Sequence, residues 1–222
     1  MASEEPAQAG SVVATTPRAA AGTASQAGTI PTPRSQAKAD RRAALLGAAS
    51  VLFARNGFNG VSIEDLGTAA GVSGPAVYRH FSGKQAVLAA LLVGVSRELL
   101  DGGTRVVAAA ADDEDALHSL IQYHVEFALG NPDVIRVQDR DLDSLAAAER
   151  HTVRTLQHDY VELWVQVLGR LHPDVDAAER RIRAHATFGL INSTPHSARS
   201  SRRADVRGLL ERMAWAALTT SV

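Results

Sequence analysis

Large apolar residues recur along this chain at three- and four-residue spacing, and no segment alternates convincingly as a strand. The pattern starts at Ser35 or Gln36, after which Ala44, Leu45, Ala48, Leu52 and Phe53 share one helical face. Asn56-Gly57 ends that helix, with Gly57 suited to a left-handed cap, and Phe58 fills the turn. Ser62-Ile63-Glu64-Asp65 reads as the next start: Ser62 can cap, and Asp65 puts a carboxylate where the first turn favours it. This second helix ends at Gly71. Ser73 begins a third, with Pro75 in its first turn, where a missing N–H costs least, and Val77 and Phe81 on its buried side. Ser82 is the expected cap of a fourth helix running to about Leu100 or beyond.

The same periodicity continues to the end. Residues 114–129 align Leu117, Leu120, Ile121, His124 and Phe127, and Asn131-Pro132 is expected to break the chain. Residues 144–171 align Leu145, Val153, Leu156, Tyr160, Leu163, Trp164 and Val167, closed by His172-Pro173. A helix over 175–193 is expected to end before Pro195, and a last one over 203–219 carries Val206, Leu209, Leu210, Met213 and Ala217. The expectation is an all-α protein of about nine helices. Residues 1–35 are the exception. They are rich in Ala, Ser, Thr, Gly and Pro, bury too little to offset ordering entropy, and read as a disordered tail.

Composition narrows the classes. The chain has 222 residues and no cysteine, which removes disulfides and thiol catalysis and fits a cytoplasmic location. No apolar run reaches the roughly 18 residues of a membrane span, and the start Met-Ala-Ser-Glu-Glu does not read as a secretory signal. Net charge is −1, but it is unevenly spread: residues 36–84 carry a net +3 and the remainder after them −4. A basic end on an acidic body suits a protein that turns one end toward phosphate. No Gly-rich phosphate loop or nucleophile elbow is present, and His151 and His158 are seven apart rather than at metal-pair spacing. The chain is therefore expected not to be an enzyme and to need no cofactor or metal.

Two short helices joined by Ala70-Gly71-Val72-Ser73 form a helix-turn-helix signature, in which Gly71 permits the sharp turn. The run from Leu52 to Leu88 resembles the DNA-binding domain of TetR-type regulators. The most specific parts are Phe53-Ala54, Gly57-Phe58, Ala70-Gly71-Val72-Ser73, Tyr78-Arg79-His80-Phe81 and Lys84. The resemblance implies a helix-turn-helix domain over 36–84 and a ligand-binding and dimerisation domain over 85–222. It places Ser73, Gly74, Pro75 and Ala76 at base edges in the major groove, where such small residues favour backbone approach and thymine-methyl contact. Tyr78, His80 and Lys84 match phosphate-gripping positions, Ser62 can add a further donor, and Arg79 either reads guanine or holds phosphate. Tyr78 is equally compatible with core packing. Two positions depart from the family pattern. Gly67 stands where Ala is usual, at roughly 1 kcal/mol of helix propensity. Gly74 stands where a long polar residue is frequent.

The resemblance further implies a cavity among the middle helices, with Tyr123, His124, Phe127, Arg140, Tyr160, Trp164, Phe188 and Asn192 as candidate lining residues; ordinary core is the alternative for each. The final two helices are expected to build a homodimer through Phe188, Leu209, Leu210 and Met213, which reads an inverted-repeat operator. The segments 138–142, 160–164 and 190–196 resemble an actinobacterial subgroup of these regulators linked to acyl-CoA metabolism. That implies a repressor released by a long-chain or branched acyl-CoA or a related acyl compound, its phosphates met by Arg140 or Arg136. The alternatives are a drug-efflux regulator and an activator of the same fold.

Overall fold

The computed structural model describes residues 32–197 and 202–220. The tail expected over 1–35 therefore falls almost wholly outside the described residues. Its last part is helical: α1 spans Pro33–Asn56, with Pro33 in the first turn and the Thr32 side chain accepting from the Ser35 N–H. The start lies two residues before the periodicity reveals it, because these first turns face solvent and carry no apolar stripe.

α2 spans Ile63–Ala69 and α3 is the single turn Gly74–Val77. α4 spans Lys84–Ala109, α5 Asp113–Gly130 and α6 Pro132–Asp141, followed by a 3-10 turn at Leu142–Ser144. α7 spans Ala147–Leu171, α8 Ala177–Ile191, α9 Thr194–Ser197 and α10 Arg203–Thr219. No strand occurs among the described residues. No helix there is long and apolar enough to cross a membrane.

Three local outcomes differ from the sequence expectation. Gly83, not Ser82, precedes α4 as its N-cap. Asn131-Pro132 starts a helix rather than only breaking one: Pro132 sits in the first turn, where its fixed φ is suited to helix entry, and Val134, Ile135 and Val137 are buried. Gly57 has φ 77° and ψ 158°, so it needs glycine's freedom without adopting the left-handed helical cap.

Gly67 gains a reason. A Cβ there would lie 2.9 Å from the Val72 carbonyl oxygen, while the Val72 N–H donates to the Gly67 carbonyl at 2.8 Å. The turn, with Gly71 at φ 68°, folds back directly onto α2. The propensity lost in the helix is exchanged for that close approach.

Two apolar clusters organise the molecule. One joins Leu45, Phe53, Leu66 and Val77 of the N-terminal helices, and Phe81 of the turn after α3, to Val87, Leu88 and Leu92 of α4, and extends to Val134 and Val137 of α6 and Val153 of α7. The other packs α5, α7, α8 and α10 around Leu120, Trp164, Leu168 and Ile191. α4 runs through without a break, and α6 contributes to both clusters, since Ile135 belongs to the second. At roughly 25 cal/mol per Å² each fully buried leucine or phenylalanine contributes about 1.5–3 kcal/mol, so these clusters supply the main favourable term.

Candidate functional site: an exposed cationic face and an interhelical cavity

The exposed end of the helix-turn-helix is built by capping and packing. Ser62 and Asp65 form a reciprocal capping box: the Asp65 N–H donates to Ser62 Oγ at 3.0 Å, and the Ser62 N–H donates to Asp65 Oδ2 at 2.9 Å. The Ser62 hydroxyl gives its own proton to Asp65 at 2.7 Å, so this candidate phosphate donor is already engaged. The backbone hydrogen bond from Ser62 and then its hydroxyl hold the Asp65 carboxyl below its usual range. Val77 and Phe81 point inward and anchor α3.

Around α3 lies a shallow concavity lined by Arg41, Gly71, Val72, Ser73, Ala76, Arg79 and His80. Ser73 and Pro75 are exposed and Gly74 half-buried, while Ala76 is 8% exposed and turned largely into the fold. Tyr78 is 57% exposed, which separates it from Phe81 and leaves its ring free for an outside partner. The Lys84 ammonium lies 4.5 Å from the centre of the Phe58 ring, and the Arg42 guanidinium 5.0 Å from that of Phe81. Both rings fix cations at the rim. His80 Nδ1 is buried without a hydrogen-bond partner. Arg41, from α1, carries no sequence signal beyond its charge; its place beside Arg79 comes from tertiary packing that one helix cannot announce.

Electrostatics sharpen this face. Every ion pair among the described residues lies within residues 113–207. Arg41, Arg79 and Lys84 take part in none, so their charge remains available to an anion, whereas the arginines of the body are largely matched to carboxylates.

The second site is a cavity of about 210 Å³ between α4, α5, α6, α7 and α8. It is lined by Ser96, Leu99, His124, Gln138, Gln157, Tyr160, Val161, His185, Phe188 and Asn192. Four of the eight sequence candidates come together there: His124, Tyr160, Phe188 and Asn192. His124 Nε2 lies 3.2 Å from Asn192 Oδ1 and His124 Nδ1 lies 3.2 Å from the Tyr160 hydroxyl. With the amide oxygen so placed, Nε2–H donates to Asn192 and the Tyr160 O–H donates to Nδ1. Burial pushes the His124 pKa down to about 4, against a smaller opposing effect of Asn192, and burial raises that of Tyr160. The rings of Tyr160 and Phe188 stack with centroids 5.7 Å apart.

The other four candidates lie elsewhere. Trp164 is fully buried behind the wall, edge-on to Phe188 at 5.0 Å. Phe127 packs at 6.2 Å from His124 without lining the cavity. Tyr123 donates to the Glu98 carbonyl at 2.8 Å, its ring seated over Gly102, where a Cβ would collide with it. Gly103 does the same for Tyr160: a Cβ there would lie 2.6 Å from the ring. Arg140 is the largest departure. Its guanidinium donates to the carbonyls of Phe53 and Ala54 in the last turn of α1, and pairs with Asp141 at 3.1 Å. Arg136 pairs with Asp133 at 2.8 Å and donates to the Pro195 carbonyl at 2.7 Å. Neither arginine is a cavity cation. Ser96, Gln138 and Gln157 are not marked as lining residues by the sequence, because single polar residues on helices carry no periodic signal.

Two family models match the chain: "Bacterial regulatory proteins, tetR family" over residues 45–91 and "Tetracyclin repressor-like, C-terminal domain" over residues 110–196. The chain belongs to the TetR family. It is a TetR-type transcriptional regulator, with an N-terminal DNA-binding helix-turn-helix and a C-terminal helical domain. The HTH-type transcriptional repressor KstR2 of Rhodococcus jostii is 28% identical over 146 residues, 63% of this chain and 72% of that protein. The HTH-type transcriptional activator FasR of Mycolicibacterium smegmatis is 30% identical over 88 residues, 40% of each chain. A TetR-family regulator from Bordetella parapertussis shares the fold with a TM-score of 0.73 at 24% identity, over 80% of this chain and 94% of that one. AibR, solved with isovaleryl coenzyme A and operator DNA, shares it with a TM-score of 0.67 at 14% identity, over 78% and 97%.

Proposed function

We propose that this TetR-family chain is a homodimeric repressor that holds an inverted-repeat operator and is released by a small acyl-type ligand in the cavity between α4 and α8. The observation that carries the reading is the double duty of α6. Gln138 on this helix lines the cavity, and Arg140, two residues on, grips the last turn of α1. The Gln85 side chain, at the start of α4, donates to the Ser144 carbonyl just after α6 at 2.7 Å. A ligand that presses on Gln138 therefore strains the same segment that sets the attitude of the DNA-binding head. α4 adds a second lever, since it lines the cavity with Ser96 and Leu99 and begins at Lys84.

A ligand moves the balance only by its difference in affinity for the two states. A change from 1:99 to 99:1 needs about 5.5 kcal/mol of such difference. Ile182, Leu209 and Met213 are 68%, 50% and 44% exposed on α8 and α10, an apolar face that a second copy would bury. Two-fold pairing then sets two α3 turns in successive major grooves, with Arg41, Tyr78, His80 and Lys84 on phosphates.

The cavity narrows the ligand. Its volume of about 210 Å³ lies below the roughly 300–1,000 Å³ of ordinary ligand pockets. That suits a short or branched acyl end and disfavours the long chain expected from the sequence. AibR was solved with a branched five-carbon thioester, which supports the same size class. Mobility shifts with a bound promoter fragment test the proposal, using isovaleryl-CoA, butyryl-CoA and unrelated hydrophobic drugs. Release by a short acyl-CoA supports it. Release by a drug alone would transfer the reading to efflux control, and loss of transcription on deleting the gene would mark an activator.

A further inference from the structure

The cavity contains a polar group that the fold does not use. Ser96 is 2% exposed, lines the cavity, and its Oγ has no hydrogen-bond partner. A helical hydroxyl has an easy alternative, a bond to the carbonyl four residues earlier. Thr104 and Thr152 take it, at 2.8 and 3.0 Å. Ser96 does not, and an unpaired buried hydroxyl costs about 1–3 kcal/mol.

Beside it runs the Tyr160–His124–Asn192 relay. Tyr160 gives its proton to His124 Nδ1, and its oxygen faces the buried Trp164 N–H as well. Because Asn192 Oδ1 accepts from Nε2–H, its amide N–H groups remain to be given. The cavity thus offers two donors, Ser96 and Asn192, around one space. The lining contains no Lys, Arg, Asp or Glu, buried His124 is neutral near pH 7, and the second lining histidine, His185, is exposed on α8 rather than enclosed. An anionic group held beside His124 would lose hydration with no lysine or arginine to replace it.

We infer that the cavity recognises an uncharged, compact group bearing a hydroxyl or ketone oxygen, which Ser96 and Asn192 hydrogen-bond against the Tyr160–Phe188 ring stack. This rests on the ligand-sensor reading and specifies what that site takes. The group is either a free small alcohol or ketone or the far end of a thioester, whose nucleotide then stays outside. A site built this way discriminates strongly against an analogue lacking the oxygen, since its own polar atoms are left unpaired.

The test uses the full chain carrying Trp215→Phe, so that Trp164 behind the wall reports occupancy by fluorescence. The probes are butyryl-CoA, 3-hydroxybutyryl-CoA and acetoacetyl-CoA for the thioester source. Cyclohexanol, cyclohexanone, methylcyclohexane and cyclohexanecarboxylate serve for the free source. In at least one series the oxygenated neutral member binds tenfold or more tighter than its plain analogue, and the carboxylate binds weakest. Ser96→Ala removes most of that preference while leaving the melting temperature equal or higher, because it deletes an orphan rather than a bond. Equal binding of plain and oxygenated members, preference for the carboxylate, no binding by any probe, or a Ser96→Ala variant that is destabilised with its preference intact would each overturn the inference. Operator release is scored separately. Oxygenated probes that bind without releasing DNA would refute the sensor reading alone, and release by a plain or anionic compound at a lower concentration than by its oxygenated partner would refute this inference alone.

Discussion

Replacing Arg140 by methionine tests the link between body and head. The substitution keeps most of the apolar stem and deletes the guanidinium. Two carbonyls in the last turn of α1 then lose a charged donor, and Asp141, whose side chain is 8% exposed, loses its cation. A hydrogen bond from a charged group contributes about 1.5–3 kcal/mol, and a cation at a helix C-terminus roughly 0.3–1 kcal/mol. Breaking a fully buried pair costs about 3–5 kcal/mol, but the Arg140 side chain is 46% exposed, so solvent screens much of that. The expected net loss is on the order of 2–3 kcal/mol, or roughly 4–12 °C in melting temperature for a chain of this size. Asp141→Asn in the same background should recover part of it, because no unpaired carboxylate then remains buried. Thermal melts of the two single variants and the double variant measure that coupling. The functional expectation is sharper: Arg140→Met still binds ligand, but ligand no longer weakens operator binding to the same extent. Melting within about 1 °C of wild type, with undiminished ligand response, would refute the reasoning.

Three further outcomes follow from the same geometry. Arg41→Ala and Lys84→Ala should weaken binding to operator and random duplex alike and lower the salt slope by about 1 each, as titrations at several salt concentrations would show. Gly103→Ala should destabilise by about 1–3 kcal/mol and impair ligand binding by displacing the Tyr160 ring, whereas Gly94→Ala, with nothing within 4 Å, should be neutral or stabilising by up to roughly 1 kcal/mol in urea melts. His124 has a folded pKa of about 4 against about 6.5 unfolded, so between those values the unfolded chain holds the proton more readily and stability falls on acidification. Between pH 7.5 and 5.0 that contribution is about 2 kcal/mol, present in wild type and absent in His124→Gln.

Much of this architecture was legible because helical periodicity repeats over many residues. The stripe Leu117, Leu120, Ile121 and the Gly71 turn both appear as read. α6 was not legible. It has ten residues, is mostly polar, and opens on a proline that reads equally as a break. Missing it also misplaced Arg140, since a lone arginine gives no sign of which helix end it meets. His124, Tyr160, Phe188 and Asn192 could be found as aromatic or polar residues beside an apolar stripe. Ser96, Gln138 and Gln157 could not, because they become a site only when five helices bring their side chains to one space. The role of Gly67 was equally hidden, as close backbone approach leaves no mark beyond the glycine itself.

The most direct test of the account is selection of bound DNA from a random duplex library by the purified full chain, with the mass of the complex measured on the enriched sequence. The account predicts one enriched inverted repeat, its half-sites about 10–10.5 base pairs apart centre to centre or a multiple of that, bound by an even number of chains. Enrichment of no sequence, or of an asymmetric one held by a single chain, would contradict it.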